Sequence, residues 1–94
     1  MYTVIAKFHV KPENQPVFRQ LADQLGAASC AEEGVKVYQL HRDTTDAEHF
    51  ATIEIYTEQA AHAFHAETPH VKALFPQMCA LCVQEPIIEF YDEI

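Results

Sequence analysis

Four of the six histidines, His49, His62, His65 and His70, lie close together along the chain. An imidazole titrates near neutral pH, so such a group can supply a general base or metal ligands. His65 and His70 are the candidates for base work; His62, three residues before His65, is read as solvent-exposed. Glu54 stands two positions from Tyr56 in an alternating run, which places both side chains on one face of a strand. A carboxylate there is expected to be partly buried, with His41 or Arg42 on the neighbouring strand as its bonding partner. His62, His65, His70 and the pair Cys79 and Cys82 together contain the donor types of a two-Cys, two-His zinc site. The cysteine pair lacks a Gly-containing knuckle and a second matching pair, and Met78, Leu81 and Val83 interleave it like a helix packed on a core. The cysteines therefore read as small apolar fillers, and no metal is expected. Thioredoxin-like chemistry is set aside too, because this pair does not open a helix after a strand.

The elements that must position these groups follow from periodicity. Residues 1–10 alternate, with Tyr2, Val4, Phe8 and Val10 on one face and Thr3, Ile5, Lys7 and His9 on the other, which predicts a strand. Lys11-Pro12 ends it. Asn14 is placed to cap a helix carrying Val17, Phe18, Leu21, Leu25 and Ala28 on one side, ending near Glu33-Gly34, where glycine tolerates positive φ. Residues 35–42 and 49–56 read as two strands joined by the polar loop 43–48, with Tyr38 and Leu40 on the face opposite Val35 and Val37. Thr57 is placed to cap a helix over 58–67 that breaks at Thr68 before Pro69. A shorter helix over 70–75 follows, then one or two helical turns from Pro76 to about Val83, and a last strand at 87–91.

The order β-α-β-β-α-β is a ferredoxin-like α+β arrangement in one domain over residues 1–94: a four-stranded antiparallel sheet with both main helices on one face. Apolar side chains also occupy the second sheet face, and each one left wet forgoes roughly 1.5 to 3 kcal/mol. A homodimer joined sheet to sheet is the expected way to cover them. Composition narrows the function classes. The formal net charge is -8, with 6 basic against 14 acidic residues, and no basic patch breaks the acidic surface, so neither nucleic acid nor membrane is an expected partner. Three cysteines and no secretory leader before the first strand fit reduced thiols in a cytoplasmic protein.

Three segments resemble the antibiotic biosynthesis monooxygenase domain family. They are Glu33-Gly34-Val35-Lys36-Val37-Tyr38-Gln39-Leu40-His41-Arg42-Asp43, the run from Phe50 through Glu54 and Tyr56 to Ala61, and His65-Ala66-Glu67-Thr68-Pro69-His70. In words, a Gly precedes a strand ending in an Arg-Asp turn, the next strand carries Glu-x-aromatic, and a helix ends His-x-x-Thr-Pro-His. The resemblance implies a dimeric α/β barrel of ferredoxin-like subunits, each with a mostly apolar pocket between sheet and helices. Such families include cofactor-free monooxygenases of quinols and anthrones, a haem-degrading branch, and an isomerase that processes a phosphorylated signalling metabolite. The haem branch calls for an Asn on the first strand and a Trp on the second helix; here stand Lys7-Phe8-His9 and no Trp.

The expected activity is cofactor-independent oxidation of a small aromatic, quinol-like substrate by dioxygen. By resemblance His65 is the base, and His70 and Glu54 are polar contacts. Phe8, Tyr38, Tyr56 and Phe64 are expected to wall the substrate pocket. The isomerase, or a non-catalytic small-ligand module of the same fold, is the alternative.

Overall fold

The strand at the N-terminus is the spine of the molecule, because it pairs on both sides. In the computed structural model, which describes all residues Met1–Ile94, β1 (Tyr2–His9) is followed by a single 3-10 turn, Pro12–Asn14, and α1 (Gln15–Cys30). Then come β2 (Val35–Arg42), β3 (His49–Tyr56), α2 (Gln59–Ala66), α3 (Pro69–Ala80) and β4 (Ile87–Asp92). The four strands lie in the order β2-β3-β1-β4 and every pairing is antiparallel, the ferredoxin-like α+β topology expected. β1 pairs with β3 from Tyr2↔Tyr56 to His9↔His49 and with β4 from Tyr2↔Asp92 to Lys7↔Ile87.

That register decides what faces the helices. Val4, Ala6, Phe8 and Val10 are buried with Phe18, Ala22 and Leu25 of α1 and Met78 of α3. Phe8 meets Phe18 edge-on at 5.2 Å and Phe75 at 6.4 Å, geometries favoured by the ring quadrupoles. His9 consequently lies on the open face, stacked on His49 at 4.4 Å and bonded to Glu48 at 2.8 Å.

Several local expectations are corrected. A register shift between Val35 and Val37 makes Lys36 an extra residue in β2. This bulge turns Val35 onto the same buried face as Tyr38, rather than the opposite one. Helix α1 stops at Cys30, before Glu33-Gly34, and neither glycine has positive φ. Gly34 serves close approach instead: a Cβ there would sit 2.5 Å from the Ala61 Cβ of α2. Asn14 makes no side-chain cap bond, and α2 is entered through Glu58 rather than Thr57. Beyond Thr68, one helix, Pro69–Ala80, runs through Pro76 in place of the two short pieces expected. Pro76 and Lys72 are both exposed, so water can serve the carbonyl that loses its backbone donor.

Thr68 is the hinge between the last two helices. Its hydroxyl donates to the His65 carbonyl at 2.7 Å and accepts from the Val71 N–H at 3.4 Å, closing α2 and capping α3 with one side chain. No helix is long and apolar enough to cross a membrane.

Because the Ala61 methyl has no room to withdraw without moving α2 off the sheet, Gly34→Ala is expected to cost about 1 to 3 kcal/mol. Thermal melting should show a lowered midpoint. An unchanged midpoint would mean that the β2–α2 approach is looser than described.

Candidate active site

Glu32, in the turn after α1, gathers two histidines that come from different helices. Its Oε2 lies 2.8 Å from Nδ1 of His65, in the last turn of α2, and 2.6 Å from Nε2 of His70, in the first turn of α3. The side chains are 7%, 6% and 22% exposed for Glu32, His65 and His70. A carboxylate can only accept, so both rings donate into the same oxygen: His65 carries its proton on Nδ1 and His70 on Nε2. In the neutral ring, the His65 Nε2 then keeps its lone pair with no protein partner, and it is not among the buried unpaired atoms.

His65 also belongs to the wall of a cavity of about 310 Å³ between sheet and helices. Val4, Ala6, Leu25, Val71, Phe75 and Phe90 make it largely apolar, while Tyr38, Glu54, His62 and His65 bring the polar tips. An apolar chamber with a few convergent polar groups is the usual form of a small-molecule site. Glu32 and His70 open on the other side, into a wider groove of about 840 Å³ with Glu33, Lys36 and Glu58. The Glu32–His65 pair is thus the partition between groove and cavity.

Glu54 is bound differently from the expectation. Thr52, Glu54 and Tyr56 alternate along β3 on its buried face, and their side chains bond to one another. The Thr52 hydroxyl donates to Glu54 Oε2 at 2.7 Å, and the Tyr56 hydroxyl donates to Oε1 at 2.6 Å. Neither His41 nor Arg42 reaches it: His41 is exposed opposite Ala51, and Arg42 lies over the Phe50 ring at 5.1 Å. Burial pushes the Glu54 carboxyl above its ordinary value, outweighing the lowering by the Tyr56 and Thr52 hydrogen bonds and the nearby His65. Burial, then the Glu54 charge, raises the Tyr38 and Tyr56 hydroxyls well above their ordinary range, so neither phenol ionises near neutral pH.

Of the residues expected to wall the pocket, Tyr38 does so. Phe8 is core beneath α1, and Tyr56 is fully buried with its hydroxyl committed to Glu54. Phe64 points outward, 66% exposed, toward the groove. It precedes His65 in α2, and the rotation of about 100° between consecutive helical residues lets His65 point inward while Phe64 points out. His62, expected in solvent, is half-buried on the cavity wall, against Tyr56 at 5.1 Å and Phe90 at 5.6 Å. Burial and then the neighbouring His65 depress its pKa, which favours the neutral ring. Glu32 is a site residue that no local sequence pattern singles out. Its only sequence signal is an acidic residue just before the Glu33-Gly34 turn. Cys79 and Cys82 do not join the histidines: Cys79 is held above its ordinary value and Cys82 is pushed up to about 11, both chiefly by burial, which keeps them protonated.

With this geometry in place, comparison with known families matches residues 1–77 to antibiotic biosynthesis monooxygenase. The chain belongs to that family. It is 36% identical over 70 residues, 74% of each protein, to the Bacillus subtilis protein named "Putative monooxygenase YcnE". A crystal structure described as an antibiotic biosynthesis monooxygenase superposes with a TM-score of 0.93 at 30% identity, covering 100% of this chain and 99% of that one. A conserved protein of Methanosarcina mazei Go1 superposes with a TM-score of 0.97 at 26% identity, covering 99% and 92%. Family membership supports monooxygenase-type chemistry in general and leaves the reaction to be argued from the site.

The Glu54 environment has a measurable consequence. Its folded pKa exceeds the ordinary 4.5, so the native state holds that proton more tightly than the unfolded chain does. The stabilisation is complete below 4.5 and is lost as pH rises through the folded value. Glu54→Gln removes this titration and keeps one acceptor. Compared with the unmodified chain in denaturant melts from about pH 4 to about pH 8, it should lose less stability as pH rises. Parallel profiles would mean that Glu54 titrates normally.

Proposed function

We propose that the protein is a cofactor-independent monooxygenase that oxidises a small aromatic, quinol-like substrate with dioxygen, and that His65 is the base. The observation that carries this reading is the orientation of one imidazole. Glu32 accepts its Nδ1 proton, and its other nitrogen is left free at an apolar cavity. The same pairing raises the basicity of a ring and fixes its tautomer wherever a carboxylate backs a histidine.

Oxygenation without a metal or flavin needs an electron-rich anion and a place with little water. His65 Nε2 takes the proton of a quinol hydroxyl; the positive charge on the ring is offset by Glu32, which His70 also supports. The quinolate passes an electron to dioxygen, the two radicals couple to form a C–O bond, and one oxygen stays in a hydroxyquinone while the other leaves as water. The net change, quinol plus dioxygen to hydroxyquinone plus water, balances without another reductant. Tyr38 is the polar contact for a substrate oxygen, since its hydroxyl stays protonated and donates. Glu54 is a positioning residue whose oxygens are taken by Thr52 and Tyr56.

The cavity lining includes no Lys or Arg, which argues against a phosphorylated substrate. We also propose the sheet-to-sheet homodimer. Ile5, Val37, Ile53 and Ile55 are half-exposed on the sheet face that carries no helix, with Ile87 and Tyr91 exposed beside them. A second copy would bury this surface isologously.

Oxygen uptake with a menadiol-like quinol should persist in the presence of a chelator and fall by about 10² to 10⁴ in His65→Ala. Glu32→Gln should lower it about tenfold or more with a smaller change in KM, as expected for a residue that acts through the base. Unchanged uptake in His65→Ala would remove the base. Quinol binding without oxygen uptake in the unmodified protein would favour a ligand-binding module.

A further inference from the structure

Glu32, His65 and His70 are bonded as a hydrogen-bonded triad, yet they also have the composition of a metal site. One carboxylate oxygen and two imidazole nitrogens, from three separate elements, all lie within 4.8 Å of one another. The second Glu32 oxygen, Oε1, is buried with no hydrogen-bond partner at all. An unpaired buried carboxylate oxygen costs about 1 to 3 kcal/mol or more, so the triad by itself leaves this residue incompletely satisfied. The groove beside it carries Glu33 and Glu58 against the single cation Lys36, a field that favours an arriving positive ion.

We propose that Glu32, His65 and His70 form a binding site for a divalent transition ion of the zinc or cobalt class, entered from the groove. Two imidazoles and one carboxylate match ions of intermediate softness, whereas calcium and magnesium want oxygen donors throughout. The nitrogen-to-oxygen distances of 2.6 and 2.8 Å are shorter than a shared ion allows, so the three side chains must part by some tenths of an ångström. His70, 22% exposed at the groove edge, has the freedom to give way. The proton count closes. Coordination takes the His65 Nδ1 and His70 Nε2 lone pairs, each ring moves its proton to its other nitrogen, and no net proton leaves when Glu32 is already a carboxylate.

That tautomer change reaches the cavity. His65 then presents an N–H at Nε2 in place of a lone pair, so it donates and can no longer accept a proton. Resting on the oxygenase reading above, the ion is therefore an inhibitor of the reaction and not its cofactor.

Cobalt(II) titrated into the chelator-treated protein should give the visible ligand-field band of a low-coordinate ion, saturating at one equivalent. Glu32→Gln and His70→Ala, checked for folding by circular dichroism, should each weaken binding by more than about tenfold, and a Cys79→Ser/Cys82→Ser chain should retain it. In the unmodified chain, zinc should move the imidazole nitrogen resonances of His65 and His70 and leave those of His41 unmoved, while magnesium moves none. Absence of the band, a band indifferent to both variants, or a near-ultraviolet thiolate band lost with the cysteines would overturn the site. If the ion binds as described but zinc leaves quinol-dependent oxygen uptake intact, the site stands and the link to His65 as base fails. If the unmodified protein shows no oxygen uptake at all, the oxygenase reading and the inhibitor role fail together, and the cobalt titration alone decides the site.

Discussion

A carboxylate almost withdrawn from water can stay charged only if donors replace the water it has lost, and in this molecule the donors are imidazoles from two different helices. Glu32 therefore does more than hold a histidine. It ties the turn after α1 to the end of α2 and the start of α3, and it fixes which nitrogen of His65 is free. Breaking one partner of such a pair leaves the other charge or dipole buried and alone, which is why these contacts are coupled and their effects should not add. Thr68 contributes to the same constraint, because its hydroxyl closes α2 on the His65 carbonyl and starts α3 two residues before His70.

The second polar cluster has a different logic. Thr52, Glu54 and Tyr56 follow one another on the inward face of β3, so their bonds are made within a single strand and need no tertiary adjustment. This ladder offsets part of the cost of burying the Glu54 carboxyl, although burial still prevails and raises its pKa, and it consumes the Tyr56 hydroxyl. The cavity is left with two kinds of polar edge: a histidine backed by a carboxylate from outside, and a carboxylate backed by hydroxyls from below.

Much of the fold was legible because periodicity is a local property. The strands at residues 1–10, 35–42, 49–56 and 87–91, the break at Thr68, and the ferredoxin-like order all follow from alternation, helical spacing and proline chemistry in short windows. The failures are equally local in cause. The bulge at Lys36 is invisible to an alternation count, yet it moves Val35 to the other face. Gly34 looked like a helix terminus, and its use is the methyl group of Ala61, which no neighbouring residue announces. Pro76 reads as a breaker, but proline is tolerable in a helix where the orphaned carbonyl meets water.

The sequence by itself determined the kinds of groups available and the element on which each would ride: histidines flanking a proline-broken helix, a Glu-x-Tyr strand, an acidic surface and a family pattern. Only the tertiary structure decided which of them meet. Glu32 lies 33 and 38 positions from its two histidines, and nothing in a local window records a contact closed over that distance by sheet registry and helix packing. Sheet registry turned Phe8 into core, and helix packing turned Phe64 to the outside and brought His62 to the chamber. The direction of a side chain depends on the twist and bulges accumulated along the strands beneath it, whereas its chemical type is fixed as soon as the residue is written.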